Sequence, residues 1–268
     1  MSQRIRANGI EIAYDVAGTG EWLIFSHSLA CNKEMWQPQF EAFAKSYRVL
    51  RYDTRGHGES SAPAGPYTLD LLAQDVKALC DALDIQACHF AGLSMGGMIG
   101  QTLALKYPEL LLSLALADTS SFYGPQAQPF WEGRSQTALT QGMAALMAPT
   151  MERWFTEPFR SSQTELMQQV SQWILSTPPV GYSASCRAIA AIDTTADLHR
   201  IKIPTLVIVG ADDAATPPAM AEKIHDQVAG SELVVLPSAA HISSLEQADG
   251  FNRALGEFLL KIKDKTNQ

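Results

Sequence analysis

The stretch HFAGLSMGGM, residues 89 to 98, decides how this chain is read. A short apolar run ends in a glycine, a serine stands between two glycines, and a helical pattern begins at once. Gly92-Leu93-Ser94-Met95-Gly96 fits G-x-S-x-G, the pattern of a sharp turn from strand to helix. Glycine suits both flanks because a Cβ there would collide with backbone, and Ser94 Oγ is left exposed above the sheet near a helix N-terminus. The bare pattern is weak, since a serine in a glycine-rich turn is often only a small residue. Its surroundings give it weight.

Outward from the motif, residues 22–27, 48–52, 87–91, 112–117 and 204–209 are short apolar runs of the kind that fill a parallel sheet buried on both faces. Residues 10–16 (IEIAYDV) alternate like a half-buried strand, and ELVVLP (232–237) adds a further one. Segments 33–46, 69–84, 95–107 and 248–262 carry apolar residues at helical spacing. Strand and helix alternate to about residue 120, which predicts an α/β fold with a mostly parallel, doubly wound sheet. From 121 to 198 the strand signal vanishes. Pro125, Pro129, Pro149, Pro158, Pro178 and Pro179 punctuate a Met-, Gln-, Trp- and Ala-rich segment, the pattern of short helices inserted after the sixth strand. The expected division is a core of residues 1–120 and 199–268 around a helical cap of 121–198. The polar end KDKTNQ is expected to fray.

A serine hydroxyl is a poor nucleophile unaided. It needs an imidazole to take its proton, and the imidazole needs an acceptor on its other nitrogen. Both partners must follow strands, in the chain order serine, acid, histidine. Asp213, just past the run 205–209, and His241, just past 232–236, meet that requirement. Asp212 and Asp118 are rival carboxylates. A lone histidine after a strand would otherwise read as a cap or surface residue. Among the remaining histidines, His89 reads as a partnered core residue, and His199 and His225 as surface residues on helical polar faces.

With 20 Lys and Arg against 28 Asp and Glu the formal charge is −8, and no basic cluster interrupts it, so nucleic acid and anionic membrane are poor partners. Cys31, Cys80, Cys88 and Cys186 show no metal or redox spacing, and a reducing compartment is expected. No signal-peptide pattern and no apolar run of about 18 residues occurs, so a cytoplasmic protein is expected. The oligomeric state is not legible.

Taken together, SHSLACNKEMWQPQ, RVLRYDTRGHGESSAPAGPYT, AGLSMGGMIGQ, ADTSS, RWFT, TPPVGY, PTLVIVGADDAATPP and AHISSLEQ resemble the 3-oxoadipate enol-lactone hydrolases of aromatic catabolism and their esterase relatives in the α/β-hydrolase superfamily. The resemblance spans essentially the whole chain. It implies a carboxylic ester or lactone hydrolase with a small-molecule substrate and neither metal nor organic cofactor. It also implies an oxyanion hole made by the backbone N–H groups of Leu29 and Met95, and a structural role for His57 in the turn Arg55-Gly56-His57-Gly58. In the cap, Trp131 and Arg134 match a W-x-x-R at which Arg134 would either bind a substrate carboxylate or only tie cap helices together. Trp154 is a further substrate-side candidate, and Arg153 and Arg187 are weaker candidates for the same charge. One departure stands out: the narrow group more often has S-N-S-L-G where this chain has Ser26-His27-Ser28-Leu29-Ala30, while the wider superfamily often has His-Gly. His27 precedes the serine in chain order, so its expected task is to hold the loop that aims the Leu29 N–H. Alternative activities are a general carboxylesterase or acyl-homoserine lactone hydrolase, then a cofactor-free perhydrolase or haloperoxidase, then a non-catalytic ligand receptor.

Overall fold

The computed structural model describes residues 2–266, and in it the apolar runs pair into one eight-stranded sheet. In chain order the strands are β1 (Gln3–Ala7), β2 (Ile10–Ala17), β3 (Trp22–Ser26), β4 (Arg48–Tyr52), β5 (Cys88–Leu93), β6 (Leu111–Ala117), β7 (Thr205–Gly210) and β8 (Glu232–Leu236). Across the sheet they lie in the order β1-β2-β4-β3-β5-β6-β7-β8. The pairings of β1 with β2 and of β2 with β4 are antiparallel, and all the others are parallel. Every residue of β5 and β7 is buried, because helices cover both faces.

Strand β1 leaves no apolar run in the sequence. Its residues QRIRA lie at the sheet edge, and only Ala7 is buried, so the strand is held by its ladder to β2 rather than by a hydrophobic signal. The helix expected over 33–46 is divided into a 3-10 turn, Lys33–Trp36, and helix α1 (Gln37–Phe43). Pro38 explains the break: it has no N–H to give to a preceding turn, whereas in the first turn of a new helix none is needed. Helices α2 (Leu69–Ala82) and α3 (Met95–Lys106) flank the central strands. The terminal helix runs from Ala248 to Thr266, farther than the pattern suggests, so the polar end expected to fray is helical to Thr266, and its last two residues lie outside those described.

Between β6 and β7 the chain forms α4 (Gln128–Gln141), α5 (Ala144–Trp154), α6 (Glu157–Ser162), α7 (Thr164–Ser176) and α8 (Pro179–Ala190). The two ends of this insertion meet, with an isolated bridge between Phe122 and Asp193 and a Thr194 N–H to Ser121 carbonyl bond of 2.9 Å. After β7 follow α9 (Pro218–Gln227), then β8, the short α10 (Ser243–Glu246) and the terminal helix, α11. Trp36 packs against Phe25 and Phe251, with ring centroids 4.7 and 5.7 Å apart, and joins the first loop to α11. All four cysteines are buried and unpaired. Among the described residues no helix is long and apolar enough to cross a membrane.

Parallel strands present their C-terminal ends at one edge of the sheet, where ligands of open α/β sheets bind. Here the loops after β3, β4, β5, β6, β7 and β8 all open at that edge, beneath the insertion. Closest approach is made where β5 turns into α3. A Cβ on Gly92 would lie 2.1 Å from the Gly96 carbonyl oxygen, and one on Gly96 would lie 2.1 Å from that of Ser26. Gly96→Ala is therefore expected to destabilise the fold by at least about 2 kcal/mol, because backbone rather than a flexible side chain must yield. Gly133→Ala on α4, where a Cβ meets nothing within 4 Å, is expected to stabilise by up to about 1 kcal/mol. Urea unfolding of the two variants checks both signs.

Candidate active site

Ser94 sits at the turn with φ +57° and ψ −115°, outside the regions that L-residues favour. The conformation is held from three sides. Ser94 N–H donates to the Ala117 carbonyl at 2.9 Å, and its own carbonyl accepts from Met98 N–H at 3.0 Å and from the Thr119 hydroxyl at 2.7 Å. Its Oγ lies 2.9 Å from His241 Nε2, and His241 Nδ1 lies 2.9 Å from Asp213 Oδ2. Since Nδ1 must carry the hydrogen given to the carboxylate, Nε2 presents its lone pair to the Ser94 hydroxyl. That is the arrangement in which a histidine takes the proton of an attacking serine.

Asp213 is buried in a nest of donors. Oδ1 accepts the N–H groups of Ala215 and Thr216 at 2.7 and 2.9 Å, and Oδ2 accepts the Thr216 hydroxyl at 2.6 Å besides His241. Burial pushes its pKa up, but His241 and these hydrogen bonds outweigh burial, and the carboxyl is held below its ordinary value. It therefore stays ionised. The rival Asp212 is exposed and takes no part, while Asp118 is buried nearby but makes no hydrogen bond to His241.

The loop after β3 supplies the facing wall. His27 is fully buried: Nδ1–H donates to the Ser28 carbonyl at 2.7 Å, and Nε2 accepts the Thr54 N–H at 3.0 Å. The Ser28 carbonyl also accepts Cys31 N–H at 3.1 Å, so the backbone on either side of Leu29 is pinned. Leu29 lines the cavity, and its N–H has no acceptor among the described residues. Met95 begins α3, where the N–H groups precede the helix's own ladder and remain free for another acceptor. His57 packs edge-on against His27 with ring centroids 5.2 Å apart and donates from Nδ1 to the Arg55 carbonyl at 3.1 Å. Of the other histidines, His89 is buried against Ser113, at 2.8 Å. His199 is exposed, and His225 is half-buried rather than on the surface, bonded to Ser231 at 2.8 Å.

Above the Ser94 hydroxyl lies a cavity of about 410 Å³, large enough for a small organic molecule. Ser28, Leu29, Ser94 and His241 line it from the core, and Tyr123, Phe130, Trp131, Arg134, Arg153, Trp154 and Tyr182 from the insertion. Trp131, Arg134 and Trp154 are thus brought to the cavity. Arg187 is not: it is exposed and bound to Glu132 by two bonds of 3.1 Å. Arg134 gives Nε to the Tyr182 hydroxyl at 2.8 Å and Nη2 to the Thr150 hydroxyl at 2.5 Å, while Arg153 lies 4.8 Å over the Phe130 ring. Among the described residues neither has a carboxylate ion-pair partner. Burial and the charge of Arg134 hold the Arg153 pKa below its usual value, so an added anion would be favoured there. Sequence reasoning passed over Ser28, Tyr123, Phe130 and Tyr182, whose types alone do not separate cavity lining from packing.

The insertion is also fastened to the histidine loop. Ile242 N–H donates to the Trp154 carbonyl at 3.1 Å. The Glu246 carboxylate accepts Thr156 N–H at 3.0 Å and Ala240 N–H at 2.9 Å, and the Thr156 hydroxyl as well.

The two buried histidines under the loop make stability depend on pH. Burial lowers the pKa of His27 from 6.5 to about 4 and that of His57 from 6.5 to about 3. Below pH 6.5 each takes up a proton in the unfolded chain but not in the fold, so their contribution is intact above 6.5 and is lost as pH falls. Between about pH 6 and 5 each should remove about 1.4 kcal/mol of stability per pH unit, the His27 slope fading as pH nears 4. Urea unfolding at stepped pH should show His27→Asn to be flatter than the parent by about one such slope; identical slopes would show that His27 is not held neutral.

The family described as alpha/beta hydrolase fold matches residues 21–248 of this chain. A 3-oxoadipate enol-lactonase of Acinetobacter baylyi is 42% identical over 233 residues, 87% of this chain and 86% of that protein. Another from the same organism is 34% identical, spanning 90% of this chain and 89% of its own. Among solved structures, the enol-lactonase from Burkholderia xenovorans LB400 superposes with a TM-score of 0.93 at 38% identity, covering 96% of this chain and 100% of that one. A thermophilic esterase from Thermogutta terrifontis gives a TM-score of 0.93 at 30% identity, covering 98% and 99%.

Proposed function

The chain belongs to the α/β-hydrolase family, and from that premise we propose that it is a serine hydrolase that opens a small, carboxylate-bearing enol-lactone of the 3-oxoadipate type. Ser94 Oγ attacks the ring carbonyl while His241 Nε2 takes its proton, and the ionised Asp213 stabilises the imidazolium that results. The oxyanion forms against the N–H groups of Leu29 and Met95; a fixed donor of this kind is worth about 3 kcal/mol in the transition state. Collapse breaks the ring C–O bond, and the leaving enol oxygen takes the proton back from His241. Water, deprotonated by the same nitrogen, then attacks the acyl-Ser94 ester. The Ser94 Oγ–acyl bond breaks, Ser94 Oγ takes that proton back from His241, and an open-chain acid is left whose enol becomes a ketone.

What carries the reading is the pairing of a hydrogen-bonded Ser94–His241–Asp213 line on the cavity floor with two arginines in the roof that have no carboxylate ion-pair partner among the described residues. Such a roof attracts an anionic substrate, and a charge-assisted bond in a partly dehydrated site is strong enough to select it. The Arg153 guanidinium makes no hydrogen bond among the described residues, so it is the freer of the two to meet the substrate carboxylate, while Arg134, tied to Tyr182 and Thr150, orients the wall. Trp131 and Trp154 supply apolar contact to the ring. In this proposal the segment 121–198 acts as a specificity cap on a core of 1–120 and 199–268. The buried, unpaired cysteines support a reducing compartment such as the cytoplasm.

A kcat/KM panel over 3-oxoadipate enol-lactone, acyl-homoserine lactones and p-nitrophenyl esters tests the substrate, with at least a tenfold preference for the enol-lactone expected. A flat panel would return the protein to the general esterases. Ser94→Ala should abolish turnover without changing the far-UV dichroism. Arg153→Ala should lower kcat/KM for the anionic lactone about 10- to 100-fold, as loss of a hydrogen bond to a charged group implies, and for a neutral ester less than about threefold.

A further inference from the structure

Asp118 follows β6 at the same edge of the sheet, is fully buried, and has φ +43°. Its Oδ1 accepts the N–H of Gly210 at 2.8 Å, three residues before Asp213. Its Oδ2 accepts the hydroxyl of Ser243 at 2.5 Å, two residues after His241. Its own N–H donates to the Ile208 carbonyl at 2.9 Å, while the neighbours Ala117 and Thr119 hold Ser94 on both sides of its peptide unit. Three consecutive residues thus bind the loops of the nucleophile, the acid and the base from below. His241 bonds Asp213 directly across the last two loops, and among the described residues Asp118 is the side chain from a third loop that bonds to both.

We propose that Asp118 is a positioning residue for hydrolysis, holding Asp213 and His241 in register with Ser94 through hydrogen bonds to Gly210 and Ser243. The proposal rests on the reading of Ser94, His241 and Asp213 as the reacting set. A buried carboxylate without a cation is unfavourable unless its oxygens are satisfied, and here both satisfying groups lie on catalytic loops. The geometry matters because a shift of about 1 Å in a reacting group can lower a rate about 100-fold. Burial, and then the nearby Asp213 charge, push the Asp118 carboxyl well up. The contribution assigned to it is hydrogen bonding to the two loops, and an amide can stand in: asparagine offers a carbonyl to Gly210 N–H and, with the Ser243 hydroxyl turned from donor to acceptor, an NH2 to its oxygen.

The test compares Asp118→Asn, Asp118→Ala and Ser243→Ala on an ester that the parent hydrolyses, together with the rate at which a fluorophosphonate labels Ser94. Asp118→Ala should lose about 100-fold in kcat and in labelling rate, with KM within about threefold, and Ser243→Ala about tenfold. Asp118→Asn should retain kcat within about fivefold and leave the acid limb of the kcat/KM profile in place. The groups bearing on that limb are Asp213, Asp118 and Glu246 from the core, and Tyr123 and Arg153 from the insertion. If Asp118→Asn falls as far as Asp118→Ala, or its acid limb moves to lower pH, the carboxylate acts by charge and the proposal is overturned. Full activity in Ser243→Ala also overturns it. Should Asp118→Ala fail to fold, the other two variants decide. Failure of the underlying reading is separate: it appears as a parent whose Ser94 is not labelled, or as activity surviving Ser94→Ala.

Discussion

The constraint on which the site depends is a contact between backbones. Gly96, in the first turn of α3, lies directly against the Ser26 carbonyl at the end of β3, and Gly92 lies equally close to the Gly96 carbonyl. No side chain separates these segments, so their spacing is set by van der Waals radii and cannot drift with rotamer changes. The two N–H groups proposed above as oxyanion donors, those of Leu29 and Met95, hang from the two sides of that contact. Ser94 accepts a strained backbone as the geometric consequence, and the bonds from Ala117, Thr119 and Met98 hold the strain in place.

Around this point the sheet edge is a region of buried polar loops, where each unsatisfied group would be costly. The solutions are local and varied. His27 bridges Ser28 to Thr54, tying the loop after β3 to the loop after β4. Asp53 receives the N–H groups of Lys33 at 2.7 Å and Glu59 at 2.9 Å, and lies 3.4 Å from the Lys33 ammonium, which also meets Glu59 at 2.9 Å. Arg55 pairs with Asp75 through two bonds of 2.7 and 2.6 Å, fixing the turn Arg55-Gly56-His57-Gly58 against α2. The amide common in the narrow enol-lactone group and the histidine here share what this position requires, a donor on one side and an acceptor on the other.

Much of this was legible in the sequence for a physical reason. Strands buried on both faces must be apolar throughout, so β3 to β7 announce themselves, and parallel topology then puts every following loop on one edge. Ser94 and Asp213 could be picked out as candidates because each follows such a strand, and His241 because it follows the half-buried β8 in the chain order serine, acid, histidine. Edge strand β1 could not be read, since its stability comes from main-chain pairing. The sequence marked Asp118 only as a rival acid and Arg153 only as a weaker candidate for a substrate charge, and the roles proposed for them above were not legible there. What distinguishes Asp118 from Asp213 is which loop each carboxyl bonds to, and what distinguishes Arg153 from Arg134 and Arg187 is the absence or presence of a partner. Those are facts of three-dimensional neighbourhood that no spacing encodes.

The fastening of Trp154 and Thr156 to Ile242, Ala240 and Glu246 bears on how such a protein changes over time. The insertion that shapes the roof shares hydrogen bonds with the segment carrying His241. An exchange of roofs between related cores would therefore transmit any mismatch straight to the imidazole. Point changes of the cavity-facing Trp131, Arg134 and Arg153 side chains on α4 and α5 leave those seam hydrogen bonds in place. Wholesale grafts would succeed only when the recipient's glutamate and the incoming threonine still meet.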